Sequence, residues 1–209
     1  YTPRWAHSDD NHAWVEVWVD GKWYFLGACE PEPELNMGWF AGPVKRAMMT
    51  HTVVFGQYQG SEEKLQLDNR FTRVNLLANY TSTREIPVRI FDNNGKPAAK
   101  AKVEFMLYNY AEFYPIATKY TDNKGFCSSI TGYGDLIIWA SQEGYYGNKK
   151  VSGNSSDTVI INLNAPQNKA YTETFDIVPP IQQTIPPADP MKSALNNIRL
   201  QREDEIRNS

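Results

Sequence analysis

The stretch from His12 to Leu26 constrains this chain more than any other, because the alternating run before Asp20-Gly21 and the strand-like residues after it read as a β-hairpin. Residues 13 to 19 alternate strictly, and most are β-branched or aromatic, which suits a pleated strand. Ala13, Val15, Val17 and Val19 point one way, while His12, Trp14, Glu16 and Trp18 point the other. A two-residue loop pairs Val19 with Lys22, and the register follows. Trp18 then stands opposite Trp23, Glu16 opposite Phe25, Trp14 opposite Gly27 and His12 opposite Cys29. Gly27 and Cys29 therefore share the histidine's face. Glu30 falls on the other face unless the strand ends or bulges there.

The run His12-Ala13-Trp14-Val15-Glu16-Val17-Trp18, its short turn and Gly21-Lys22-Trp23-Tyr24-Phe25-Leu26 resemble the transglutaminase-like superfamily. Members of that superfamily carry a papain-like Cys-His-Asp site. Ala28-Cys29-Glu30, followed by Gly38-Trp39, is similar to its peptide:N-glycanase branch. The resemblance covers roughly residues 1 to 60. It implies part of a papain-like α+β domain acting on a peptide or glycopeptide amide, without a cofactor. It also implies that His12 is the general base and acid of a cysteine-nucleophile site, taking the thiol proton and returning one to the leaving group.

The sequence departs from the family at two places. The family's nucleophilic Cys precedes its His on a helix, whereas the eleven residues before His12 include no Cys. Residue 1 is Tyr in mid-pattern, so the expectation is the later part of a longer protein, whose remaining N-terminal part supplies the nucleophile. At the family's Asp position stands Gly27, which has no side chain to orient an imidazole. Glu30, Asp10 or a backbone carbonyl are the candidates to replace it. Trp14 and Trp39 are the candidates to line the acceptor cleft, although Trp is also ordinary core material. Cys29 faces His12 in this register, but Cys is among the most buried residue types and stands on the wrong side of the family's order.

Composition limits the alternatives. A net charge of −3 offers no basic stripe for a phosphate backbone, which argues against nucleic acid as a partner. No apolar run approaches the ~18 residues of a membrane span. No His/Cys/Asp/Glu cluster has metal-ligand spacing. Apolar residues at 41%, with 13% aromatics, supply enough material for packed cores.

Beyond the hairpin, Pro31-Glu32-Pro33-Glu34 reads as a rigid connector, residues 43 to 50 as one short helical turn, and Val53 to Phe55 as a strand. Ser61 to Asn69 is polar and reads as a loop. From about Asn75 short strands alternate with turns: Val74–Asn79, Ile86–Phe91, Lys102–Tyr108, Ile116–Thr121, Phe126–Ile130, Gly134–Ala140 and Thr158–Leu163. Pro87 places its strand at an edge, or itself at a strand start. Seven such strands predict an antiparallel β-sandwich.

Asn94-Gly95-Lys96-Pro97, Ala101-Lys102-Val103 and Thr121-Asp122-Asn123-Lys124-Gly125-Phe126 resemble the carboxypeptidase-regulatory-like or transthyretin-like sandwiches of bacterial surface proteins. That resemblance implies a spacer, docking or binding module in an extracytoplasmic protein. Residues 164 to 190 read as a Pro-rich linker, and Asp189-Pro190 as the start of a C-terminal helix.

The expected fold class is mainly β: a partial transglutaminase-like domain (1–75), an antiparallel β-sandwich (76–164), then linker and helix (165–209). The expected function is that of a cysteine acyl enzyme hydrolysing or transferring amides. The alternative is a catalytically degenerate peptide- or glycan-binding, or structural, module.

Overall fold

The computed structural model describes residues 2–4, 12–27, 32–56, 58–67, 70–109, 112–155 and 157–166. Glu30, Cys29, Asp10, most of the expected linker and the expected C-terminal helix lie outside them. The chain is mainly β. In order, its strands are β1 (Thr2–Arg4), β2 (Val15–Val19), β3 (Lys22–Leu26), β4 (Met49–Phe55), β5 (Lys64–Leu67), β6 (Phe71–Asn75) and β7 (Arg84–Phe91). There follow β8 (Lys102–Asn109), β9 (Glu112–Tyr120), β10 (Phe126–Thr131), β11 (Leu136–Gln142), β12 (Tyr145–Val151), β13 (Val159–Asn162) and β14 (Ala165–Pro166). Short 3-10 turns occupy Trp39–Ala41, Pro43–Arg46 and Leu77–Asn79.

The strands form four sheets: the hairpin β2-β3, a sheet ordered β1-β4-β6-β5, and two sandwich sheets ordered β10-β7-β13 and β14-β12-β11-β8-β9. The hairpin has the register its turn dictates, with Val19 opposite Lys22, Trp18 opposite Trp23 and Glu16 opposite Phe25. Asp20 (φ 49°) and Gly21 (φ 76°) both take positive φ, as the turn that matches strand twist requires.

The sandwich core follows strand periodicity. Ile86, Val88 and Ile90 from β7 meet Val103, Phe105 and Leu107 from β8, and all six are buried. Such burial contributes roughly 1.5–3 kcal/mol for each large apolar side chain. Met48, Met49 and Leu65, from before the sandwich, are buried in the same cluster.

Glu63 fixes that junction. Its Oε1 pairs with Lys119 Nζ at 2.7 Å and accepts from Ser129 Oγ at 2.7 Å. Its Oε2 accepts from Asn75 Nδ2 at 2.7 Å and from the Ile130 amide at 3.1 Å. Gly132 donates to the Met48 carbonyl, and a Cβ there would lie 2.3 Å from the Ala47 carbonyl oxygen, so only glycine permits this approach.

Several expectations are corrected. The polar segment expected as a loop contains β5, which pairs with β6 because Leu65 is drawn into the large core. The strand expected over Val74–Asn79 stops at Asn75. There the Asn75 side chain accepts from the Leu77 amide at 3.0 Å and turns the chain into a 3-10 turn. The helical turn expected over 43–50 spans only Pro43–Arg46, and β4 begins at Met49.

The sandwich is not wholly antiparallel, since β13 pairs with β7 in parallel. β7 is therefore the middle strand of its sheet. β13 joins it only from Val88, so at Pro87 the strand is still an edge on that side. Tyr108 pairs with Phe113 across β8 and β9, and their rings sit 5.2 Å apart.

Cys127 is a free, buried thiol in β10, and burial pushes it up to about 12. An acid whose folded pKa is raised stabilises the fold fully below its unfolded value, near 8.5, and loses that contribution as pH climbs toward 12. In a Cys29→Ser background the native protein should therefore resist a thiol-specific disulfide reagent at pH 8 and react promptly once unfolded in guanidinium. Native reaction at the rate of a free thiol would show that Cys127 is accessible.

Candidate functional site

The hairpin lays the His12-Trp14-Glu16 face inward, while Val15 and Val19 on the opposite face are exposed. Inward means onto a second, smaller core of Trp14, Phe40, Val44, Ala47 and Leu77, with Phe25 and Tyr80 packed against it. The two 3-10 turns after the connector deliver Phe40 and Val44, and the turn after β6 delivers Leu77.

His12 sits at the edge of this cluster in an aromatic surround. Its ring centroid lies 4.7 Å from Trp39, 4.8 Å from Phe40 and 6.0 Å from Trp14. Its Nε2 is buried and has no hydrogen-bond partner among the described residues. Trp39, 53% exposed, forms the outer wall, whereas Trp14 is 2% exposed and stacks on Phe40 at 4.6 Å. The two tryptophans singled out by sequence therefore differ in situation: one faces solvent and the other is core. Glu30, Cys29 and Asp10 lie outside the described residues. Gly27 is buried at the end of β3. Cys127 belongs to the sandwich core, not to this cluster.

Sequence reasoning missed Tyr80. Trp14 Nε1 donates to the Tyr80 hydroxyl at 2.7 Å, and that hydroxyl donates in turn to Glu16 Oε1. This relay ties Trp14 and Glu16 to the turn after β6. No sequence signal announces it, because the partners are 64 and 66 residues apart. The other carboxylate oxygen, Glu16 Oε2, is buried with no hydrogen-bond partner among the described residues.

Between the hairpin and the β4-β6 sheet lies a cavity of about 320 Å³, whose walls include Trp14, Glu16, Trp23, Thr52, Val54 and Tyr58. Tyr58 is anchored by its hydroxyl donating to Glu62 Oε2 at 2.6 Å and by its amide donating to Thr72 Oγ1 at 3.2 Å. Burial, with the Glu62 carboxylate, pushes its hydroxyl up to about 12.

The described residues hold no group of three or more His, Cys, Asp or Glu that could hold a metal ion, and no helix among them is long and apolar enough to cross a membrane. Chemically, the cluster offers one imidazole nitrogen in an aromatic surround, three residues before the start of β2. Compared with known proteins, the chain matches no family model and no curated sequence.

Proposed function

We propose that this chain carries the histidine half of a transglutaminase-like cysteine acyl site acting on peptide or glycopeptide amides. The thiol comes from polypeptide outside these 209 residues. The observation that carries the reading is His12 Nε2, walled by Trp39 and Phe40 and without a hydrogen-bond partner among the described residues, on a hairpin whose sequence resembles that family.

In this role His12 accepts the thiol proton as the sulfur attacks the amide carbonyl. It then protonates the leaving nitrogen as the C–N bond breaks, and water or an amine resolves the thioester. Glu30 or Asp10 orients the imidazole in place of the family Asp. Trp39 supplies the cleft wall, and the sandwich serves as the docking module of an extracytoplasmic bacterial protein. A second reading is a degenerate module that binds peptide or glycan without turnover, and Gly27 favours it.

The test is hydroxamate formation from a blocked glutaminyl peptide and hydroxylamine, using the full-length polypeptide. His12→Ala should lower turnover by about 100-fold or more. Turnover that survives His12→Ala overturns the acyl-enzyme reading. Full-length protein that binds the peptide through Trp39 without turning it over establishes the second reading.

A further inference from the structure

We infer that the cavity between the hairpin and the β4-β6 sheet is a binding site for a quaternary trimethylammonium group. The inference stands apart from the acyl-site reading, because His12 is not among the cavity's walls. Two features of the walls select the ligand. One is charge: Glu16 contributes a carboxylate whose Oε2 is buried with no hydrogen-bond partner among the described residues. An unpaired carboxylate oxygen buried behind a mostly apolar wall gives the cavity a negative potential, which favours a cation whose charge need not touch it. The other is the aromatic surround of Trp14, Trp23 and Tyr58, three π systems that attract a cation.

The same walls discriminate among cations. A metal ion would find a single carboxylate where several ligands are needed. A primary ammonium carries three N–H donors, and among the described walls the side-chain acceptors are Glu16, whose free oxygen is buried, the Thr52 hydroxyl, and the Tyr58 hydroxyl already turned to Glu62. A quaternary trimethylammonium group has no N–H to satisfy, and its methyl groups pack on apolar walls while its charge faces Glu16 and the rings. Tyr80 holds Glu16 by the other oxygen, and Glu62 holds Tyr58, so both groups are positioned before a ligand arrives. Trp23, 45% exposed, stands at the rim.

The ammonium could be a soluble headgroup or a trimethylated lysine side chain, and the probes separate these sources. Calorimetric titration of the full chain should show choline or an N-acetyl-trimethyllysine amide binding about tenfold or more tightly than 3,3-dimethylbutan-1-ol, the neutral isostere of choline. Whichever cation binds more tightly names the source. Glu16→Gln keeps an oxygen for the Tyr80 hydroxyl and should abolish the preference for the cation at an unchanged melting temperature. Trp23→Ala, at the rim, should weaken binding several-fold and guards against a folding defect in the first variant. Equal binding of the isostere, binding of neither cation, or full binding by both variants overturns the site.

Discussion

Replacing Arg84 with alanine should lower unfolding stability by about 4 kcal/mol, read as a shift in the urea midpoint at constant slope. The guanidinium is buried at the start of β7 and donates to four backbone carbonyls: Gly132 at 3.3 Å, Gly134 at 2.6 Å, Ser155 at 2.8 Å, and Ser152. Those carbonyls belong to the two loops that flank β11 and β12. Alanine would leave the acceptors buried and unpaired, each at a cost of about 1–3 kcal/mol before the loops relax. Burial lowers the Arg84 pKa, and the nearby Asp135 charge partly offsets that. Asp135 is itself held by the Gly153 amide at 2.7 Å and by Lys150 Nζ at 3.0 Å. Arg84→Lys should recover only part of the loss, since an ammonium has three donors in a compact head where the guanidinium spreads five in a plane. A loss below about 1 kcal/mol in Arg84→Ala would mean that water replaces the guanidinium at little cost.

The parts of this fold that were legible in the sequence are those where local chemistry and tertiary pairing agree. Asp20-Gly21 can place both turn residues at positive φ, so the hairpin register could be counted outward from the turn, and Glu16 does face Phe25. Strands β7, β8 and β13 were visible because every second position is buried and the buried positions are mostly β-branched or aromatic. Strand β12 was invisible for the converse reason. Gly147, Asn148, Lys149 and Lys150 are poor strand formers, and the segment is a strand because β11 and β14 pair with it on either side. Gly147 itself is required there, since a Cβ would lie 2.4 Å from the Asn162 carbonyl oxygen.

The parallel β13-β7 pair, the Glu63 junction and the Tyr80 relay are long-range choices that no window of sequence contains. At the candidate site the histidine could be found from its motif. Whether each tryptophan was wall or core could not, because both occupy aromatic-rich, strand-like contexts and differ only in what packs on them.

Trp14→Ala should unfasten the hairpin while leaving the sandwich folded, at a cost of about 4 kcal/mol to the hairpin's local stability. Trp14 is the largest member of the small core, stacked on Phe40 at an interplanar angle of 17° and edge-on to Tyr80 at 5.3 Å. Removing it strands the Tyr80-Glu16 pair and leaves Phe40 facing a void. Refilling that space would require Phe40, Phe25 or Tyr80 to leave its present packing, for the remaining buried members, Val44, Ala47 and Leu77, are too small. The sandwich does not share this dependence, because its core is a separate cluster into which Met48, Met49 and Leu65 are tied. Hydrogen exchange should therefore show amides of β2 and β3 losing protection while those of β8 and β11 keep theirs.

Tyr80→Phe keeps the ring but removes the hydroxyl that Trp14 and Glu16 share. It should cost the hairpin about half as much, since only hydrogen bonds and no packing volume are lost. If the Trp14 variant instead unfolds in one step with the sandwich, the two cores act as one cooperative unit. The hairpin that carries His12 would then be as stable as the protein itself.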